Sequence, residues 1–508
     1  MIITILTRPT TGVMNMKRLL RTTGVVFSHS GGTDECGFCR SQKICELNGH
    51  TPDDCCTDML RGHVGHLCAN DVRTAVCFRD LPTVNLMGNL PLSLAETGLV
   101  VMPLIYIVVF LGFFASALVS PVLSPMFLHP VEHGVLAAGT SAAARAFLLG
   151  VAMSMMRLGE FAGSPILGQI SDRYGRKSVL AVAMAVTALG NGAIAWSIEA
   201  DTVWIIIAGQ FFIGFAGVLL VLAQAEVAHW STGAEKTQRF GFIYMASSLA
   251  YVFAPVLGGH LADKKYLSFA SYSLPFYAAA GICVLCVLLI LWRFPNSGTL
   301  PNTGQRLEFG KGVREMADAF RIASFRSLLL VNFFLYLGID FVFQFNPVYF
   351  VQQWDFTSSQ VGWLMSYTSV SMVCTQWLLI KPIGKRWTPR IITTASAISL
   401  GLLLVLMITP SQWQWLCFLL PLIGACMAIG TTNMSTLLSN TASVESQGRM
   451  LGVAHSVRVF GSALLCFGGG ILAGLAPQYP ILVGAVASGV AGILLISGGR
   501  RKGVDARS

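Results

Sequence analysis

From about residue 96 onward the chain is written in long apolar runs separated by short polar breaks. Twelve such runs fall at 98–120, 145–168, 178–198, 203–228, 240–262, 273–294, 324–350, 360–383, 391–410, 413–438, 449–475 and 479–498. Each is about 20 residues or longer, the length a helix needs to cross a hydrocarbon layer roughly 30 Å thick. The pattern predicts an all-α membrane protein with twelve transmembrane helices. Between the sixth and seventh runs, Phe294 to Ala323 carries Pro295, Pro301 and several glycines, and six Lys or Arg lie between Arg293 and Arg326. This stretch divides the chain into two six-helix halves, 96–294 and 324–498, joined by a cytoplasmic linker at 295–323 and followed by a basic tail at 499–508. A weak internal echo supports a repeat. The charged hairpin after the second run has a counterpart after the eighth, Lys381-Pro-Ile-Gly384-Lys385-Arg386, which lacks the acidic residue.

Composition agrees with that reading. Hydrophobic residues make up 54% of 508 positions and charged residues 11%, with a mean hydropathy of +0.66. Ordinary soluble cores do not hide that much apolar surface, so lipid must cover much of it. Charge then sets orientation, because cytoplasmic loops carry the excess of Lys and Arg. With the second-to-third loop inside, the inside segments hold 20 Lys or Arg against 3 outside, namely Arg145, Lys264 and Lys265. Both termini are therefore expected in the cytoplasm. This bias accounts for the net charge of +10, and nucleic-acid binding is not needed to explain it. The brief loops suit a bacterial inner membrane.

The first 95 residues differ in kind. They hold 7 of the 13 cysteines and no apolar run long enough to span a membrane or to form a signal peptide with a clear cleavage site. Cys36, Cys39, Cys45 and His50 invite a zinc reading, but the spacing after Cys39 fits no usual pair of ligand pairs. No metal is expected, and disulfides do not persist on the cytoplasmic side. The alternative is a poorly ordered extension or upstream sequence, with Met87 or Met102 as the functional start.

Residues 168–178 read Gly168-Gln-Ile-Ser-Asp172-Arg173-Tyr-Gly175-Arg176-Lys177-Ser178, a glycine-framed, charge-dense hairpin between two apolar runs. It resembles the loop between the second and third helices of the major facilitator superfamily. Further along, Ala225-Glu226-Val-Ala-His229, Glu235-Lys236-x2-Arg239-Phe240-Gly241 and Ala250-x3-Ala254-Pro255-x2-Gly258-Gly259 resemble its drug:proton antiporter branch, in particular the twelve-helix group that contains the tetracycline efflux proteins. In the first helix, Pro121-Val-Leu-Ser-Pro125 is similar to that branch's signature. The resemblance covers roughly 97–498 and implies the major facilitator fold. It also makes Pro255, Gly258 and Gly259 an antiporter-like element, although two glycines of the motif are alanine here. Small-residue packing common to membrane helices is the other reading of that element. Three positions depart from the branch. Gly112 stands where tetracycline exporters carry an Asp, Gln210 where many proton antiporters carry an Arg, and His229 where an acid is usual.

In the hairpin, Gly168 is expected to permit close helix contact and Gly175 a tight turn. Asp172 is placed to accept from a helix N-terminus or to pair with Arg, and Arg173, Arg176 and Lys177 pin the loop inside. By resemblance the cluster latches the two halves on the cytoplasmic side.

Ionisable groups at membrane depth are expensive and rarely kept without use. Four stand out: Arg157, Glu160, Asp340 and Arg458. Arg157 and Glu160 are three apart and share a helix face. Glu160 lies about 12 Å in from Gly168, and Arg458 about 14 Å beyond Arg449. The resemblance sets the second and eleventh helices face to face, so Glu160 and Arg458 are expected to meet. Burial favours a protonated carboxyl and a neighbouring guanidinium favours the carboxylate. An alternating environment would thus load and unload a proton. A fixed Arg157–Glu160 pair that only satisfies two charges is the alternative. His455 lies one turn from Arg458 and is titratable, or simply hydrogen-bonded.

On the seventh run Asn332, Tyr336, Asp340 and Gln344 recur every four residues, a polar stripe on a helix otherwise built of Leu, Val and Phe. Phe341, Phe343 and Phe345 flank the carboxylate, a combination that suits an amphiphilic or cationic solute. The resemblance puts the first, fourth, seventh and tenth helices around a central cavity, which adds Gln210, Asn433 and Met126 as lining residues. Packing of the stripe against neighbouring helices is the other reading.

The expected function is secondary active transport by alternating access: proton-coupled export of small organic molecules, without a cofactor, by a monomer in the lipid bilayer. A proton-coupled uptake symporter for a sugar, organic acid or chelate is the alternative, and a non-transporting receptor the third. No Walker loop, Ser-His-Asp group or metal cluster appears in the membrane region, which argues against an enzyme or an ATP-driven pump.

Overall fold

A computed structural model describes residues 92–129, 136–137, 139–229, 233–294, 314, 317–318, 320–321, 323–441 and 447–505, with the side chains of some positions, Asp172 and His229 among them, left out. The cysteine-rich extension, with Cys36, Cys39, Cys45 and His50, and most of the linker lie outside the described residues. Among the described residues every regular element is helical.

Twelve elements follow in order. These are α1 (Leu92–Val119, resuming as Leu123–Leu128), α2 (Ala142–Tyr174), α3 (Arg176–Glu199), α4 (Val203–Phe215 and Leu219–His229), α5 (Gly233–Ala262) and α6 (Leu274–Arg293), then α7 (Ala323–Trp354), α8 (Ser358–Leu378), α9 (Pro389–Met407), α10 (Leu416–Thr441), α11 (Gln447–Leu475) and α12 (Tyr479–Asp505). By length and hydropathy eleven of them qualify as membrane spans. The exception is α8, whose Ser358, Ser359, Ser366, Thr368 and Ser369 are buried within the bundle while Trp363 and Trp377 are exposed. Thr368 and Ser369 donate to carbonyls one turn back, at 2.9 Å each, which removes the cost of burying those hydroxyls.

Local chemistry explains most of the element ends. The Ser141 hydroxyl caps α2 by accepting from Ala144 N–H, and Thr357 with Gln360 forms a capping box on α8. Gly175, at φ 89°, turns the chain directly from α2 into α3, a conformation that suits glycine. Two expected runs, 203–228 and 360–383, are interrupted. α1 ends at Val119, close to its expected end at 120, because Pro121 has no N–H to continue the ladder. α4 breaks at Ala216–Val218, where Gly217 N–H returns to Gly214 at 2.8 Å and Val218 N–H to Ala216 at 2.7 Å. α8 ends at Leu378, and a short helix, Ile380–Arg386, holds the basic counterpart of the first hairpin.

Packing repeats between the halves. α1 packs on α5 and α6, α2 on α4, and α3 on α4 and α6; six elements later, α7 packs on α11 and α12, α8 on α10, and α9 on α10 and α12. Two long seams join the halves, α2 with α11 and α5 with α8, and these exchange under the same repeat. Both are built on small residues. Gly150 and Gly470 bring backbones together, Gly474 lies on Ala143, Gly259 on Ser358, and Gly362 on the Pro255 carbonyl, as expected where helices associate without a hydrophobic driving force.

These contacts gather at one end. Ser154 donates to the Ala463 carbonyl at 2.8 Å, and Phe147 meets Phe467 edge-on at 5.6 Å. At the other end of the same seam, an added Cβ at Gly168 or Gly452 would touch nothing. The halves are closed where α2 begins and parted where it ends. Gly168 therefore does not serve close helix contact in this conformation; Gly150, five turns earlier, does.

Candidate functional site

The charges at membrane depth collect where the closed part of the seam gives way to the open part. Arg157 and Glu160 share one face of α2, and Nη1 of Arg157 donates to Oε2 of Glu160 at 2.7 Å. The other edge of the same guanidinium faces the Gln344 amide on α7, whose carbonyl, once the amide is turned to present its oxygen, accepts from Nε at 3.1 Å and from Nη2 at 2.8 Å. Arg157 is thus held by one residue from each half. His455 on α11 brings Nε2 to 3.7 Å from Oε1 of Glu160, a second link across the halves.

Arg458 behaves differently. It lies three residues beyond His455 on α11, and its Nη2 and Nε donate to Oδ1 and Oδ2 of Asp340 on α7 at 3.0 and 3.4 Å. Its guanidinium carbon sits 4.4 Å from the centre of the Tyr336 ring, within the range of a cation–π contact. Both partners belong to the C-terminal half. The expected Glu160–Arg458 pair therefore does not form. Glu160 is taken by Arg157 and His455, and Arg458 by Asp340, because α7 packs on α11 within its own half and presents a carboxylate there. Arg458 remains within electrostatic reach of Glu160, so the four groups form one cluster.

The stripe on α7 faces protein as its spacing predicts. Asn332 donates to the Ala454 carbonyl of α11 at 3.1 Å, the Tyr336 ring lies under the Arg458 guanidinium, and Asp340 and Gln344 face the two arginines. Phe341 and Phe345 turn into the C-terminal half, against Gly484 and Gly469, and do not line the carboxylate. Gln210 is buried on α4 and the Asn433 amide is spent on the Ile429 carbonyl of its own helix at 2.9 Å. The structure does not bring either into the charged group. Met126 is buried in the core.

Sequence reasoning missed Tyr251 on α5, which lies within electrostatic reach of Arg157, Glu160 and Arg458, and Tyr244 two turns before it, within reach of Tyr336. A seven-residue spacing of tyrosines on an otherwise apolar helix was the available signal. Also missed was an approach between the halves at the closed end, where His129 Nε2 lies 3.0 Å from Asp355 Oδ1.

Elsewhere in the hairpin, Arg176 donates to Glu226 on α4 at 3.2 Å and to the Ala225 carbonyl at 2.8 Å, fixing the start of α3 to the end of α4. Arg173 lies over the Tyr174 ring, and Lys177 is half-buried. The side chain of Asp172 lies outside the described residues. Gly258 packs on the Leu118 backbone of α1. With Gly259 and Pro255 against α8, it makes the antiporter-like element a three-helix packing joint. A Cβ at Gly112 would meet the end of the Leu219 side chain on α4.

Comparison with known proteins gives the same architecture. The model of the Major Facilitator Superfamily matches residues 105–328 and 328–506. The class C tetracycline resistance protein of Escherichia coli is 25% identical over 311 residues, which cover 60% of this chain and 74% of that protein. Among solved structures, the human organic anion transporter MFSD10 (TETRAN) superposes with a TM-score of 0.58 at 18% identity, over 78% of this chain and 99% of its own. A D-xylose–proton symporter superposes with a TM-score of 0.61 at 15% identity, over 78% and 97%.

Proposed function

The chain belongs to the major facilitator superfamily, and from that premise we propose that it is a proton-coupled exporter of small organic molecules that works by alternating access. One observation carries the reading: a cluster of two arginines, two carboxylates and a histidine tied across the two halves, Arg157 to Gln344 and His455 to Glu160. If the halves rock against each other, these ties must break and reform. A carboxylate whose cationic partner alternates in this way is a proton carrier, because the neighbouring charge decides which form is favoured. The relationship to a tetracycline resistance protein supports export. The likeness to a sugar symporter is one of fold.

With the Lys and Arg asymmetry placing the hairpin end in the cytoplasm, the closed end faces outward and the conformation is inward-open. Closing the inner end must bring the hairpin at Asp172, Arg173 and Arg176 toward the other half, which gives it the role of a latch. We take the protein to work as a monomer driven by the proton gradient. Everted membrane vesicles energised with an imposed pH gradient test the whole reading. Dyes or metabolites should accumulate inside them only while the gradient lasts; accumulation in right-side-out vesicles instead would make the protein an importer, and no flux in either would remove transport.

A further inference from the structure

The side of the cluster that solvent reaches is basic. The side chain of Asp340 is 8% exposed and that of Glu160 17%, whereas Arg458 is 31% and His455 42% exposed. The carboxylates are set behind and the cations in front. A solute entering from the open end meets guanidinium and imidazole before it meets an acid. Asp340 is not a free counter-ion for a cationic solute, since Arg458 occupies both of its oxygens.

Of the two arginines one is available. Arg157 uses all three of its nitrogens on Glu160 and Gln344. Arg458 uses Nε and Nη2 on Asp340, one of them at a long 3.4 Å, and leaves Nη1 out of the pair. Its flat face already rests on Tyr336. Tyr244 and Tyr251, two turns apart on one side of α5, stand within electrostatic reach of Tyr336 and of the charged cluster respectively. A guanidinium fork resting on the Tyr336 ring matches a planar anionic head on an aromatic body, because the fork pairs with a carboxylate in two parallel bonds and the ring takes the apolar part.

We propose that the transported solute is an amphiphilic organic anion, whose carboxylate head docks on Arg458 in competition with Asp340. This deepens the transporter reading and rests on it for the word transported, but the binding site stands by itself. Asp340 is then an internal stand-in for the solute head: it keeps Arg458 neutralised in the empty carrier and yields when the solute arrives.

The test is equilibrium binding to the purified full-length protein in detergent, which needs no gradient. Three probes with one ring system are compared: naphthalene-2-carboxylate, its methyl ester and naphthyl-2-trimethylammonium. The carboxylate should bind roughly tenfold tighter than either of the others, the worth of a charge-assisted hydrogen bond. Asp340→Asn, which removes the competitor, should tighten carboxylate binding several-fold. Arg458→Gln should abolish the preference, and Arg458→Lys, which keeps the charge but loses the fork and covers the case in which the Gln variant fails to fold, should reduce it. A preference for the cation that disappears in Asp340→Asn, or equal binding of all three probes, overturns the proposal. Retained carboxylate preference in a protein that shows no proton-driven flux in vesicles would sink the export reading and leave this one standing.

Discussion

Two arginine–carboxylate pairs share the middle of this protein, and they differ in what they tie together. Arg157 and Glu160 sit on α2 and reach across to Gln344 and His455 in the other half. Arg458 and Asp340 lie on α11 and α7, both within the C-terminal half. A pair tied across a moving interface must change partners in each cycle and can couple a proton to that change. A pair inside a rigid half keeps its partner through the motion and is free to serve as a receptor. Isolated charges at this depth would cost several kcal/mol each, so both pairs also satisfy burial; their placement, and not their chemistry, separates the roles.

The largest effect that would sharpen this contrast is expected from Glu160→Gln. The amide keeps a hydrogen bond to Arg157 but takes up no proton, so gradient-driven flux should fall by about tenfold or more while binding of the naphthoate probe survives. Wild-type flux with unchanged pH dependence would break the comparison. Asp172→Asn, at the hairpin, should lower flux by about the same order while membrane insertion stays normal, since the latch needs the charge and the helices do not; full transport in that variant would remove the latch. A Leu at position 150 tests the closed seam. Its Cβ would meet the Gly470 backbone, which has nowhere to move, so the outer end should be held apart, read as increased labelling of a cysteine introduced at Ser154. A Leu at position 168 meets nothing and should leave labelling at Ser154 unchanged. Equal effects at the two sites would contradict the asymmetry of the seam. The smallest effect is expected from Gln344→Leu, which removes one neutral partner of Arg157 and should alter flux by a few-fold, in line with about 1 kcal/mol for such a bond. A loss as large as that of Glu160→Gln would make Gln344, and not the carboxylate, the coupling group.

Much of the architecture was legible beforehand for a simple reason. In lipid every backbone group must be satisfied within the segment, so each apolar run of sufficient length had to be a helix, and α8 was readable by length even though its serines lower its hydropathy. The hairpin at Gly175 and the stripe on α7 were readable too, one from glycine chemistry and one from a four-residue repeat. Pro121 announced the end of the first long segment of α1, but nothing in Ala216-Gly217-Val218 distinguishes the break inside α4 from the many small-residue stretches that stay helical here. Partner choice was not readable at all. Glu160 had Arg157, His455 and Arg458 within plausible range, and helical spacing ranks only the first.

By itself, then, the sequence determined that the chain is built of about twelve long apolar helices, which loops carry the positive charge, and which few ionisable residues lie within the apolar runs. Those are properties of one segment at a time, set by length, hydropathy and local turn chemistry. Only the tertiary structure decided that Gly150 and not Gly168 brings the helices together, that Asp340 takes Arg458, and that His455 approaches Glu160. Each of these depends on the rotation and tilt of one helix against another. A period of 3.6 residues tells which side chains share a face and leaves open which neighbour that face will meet.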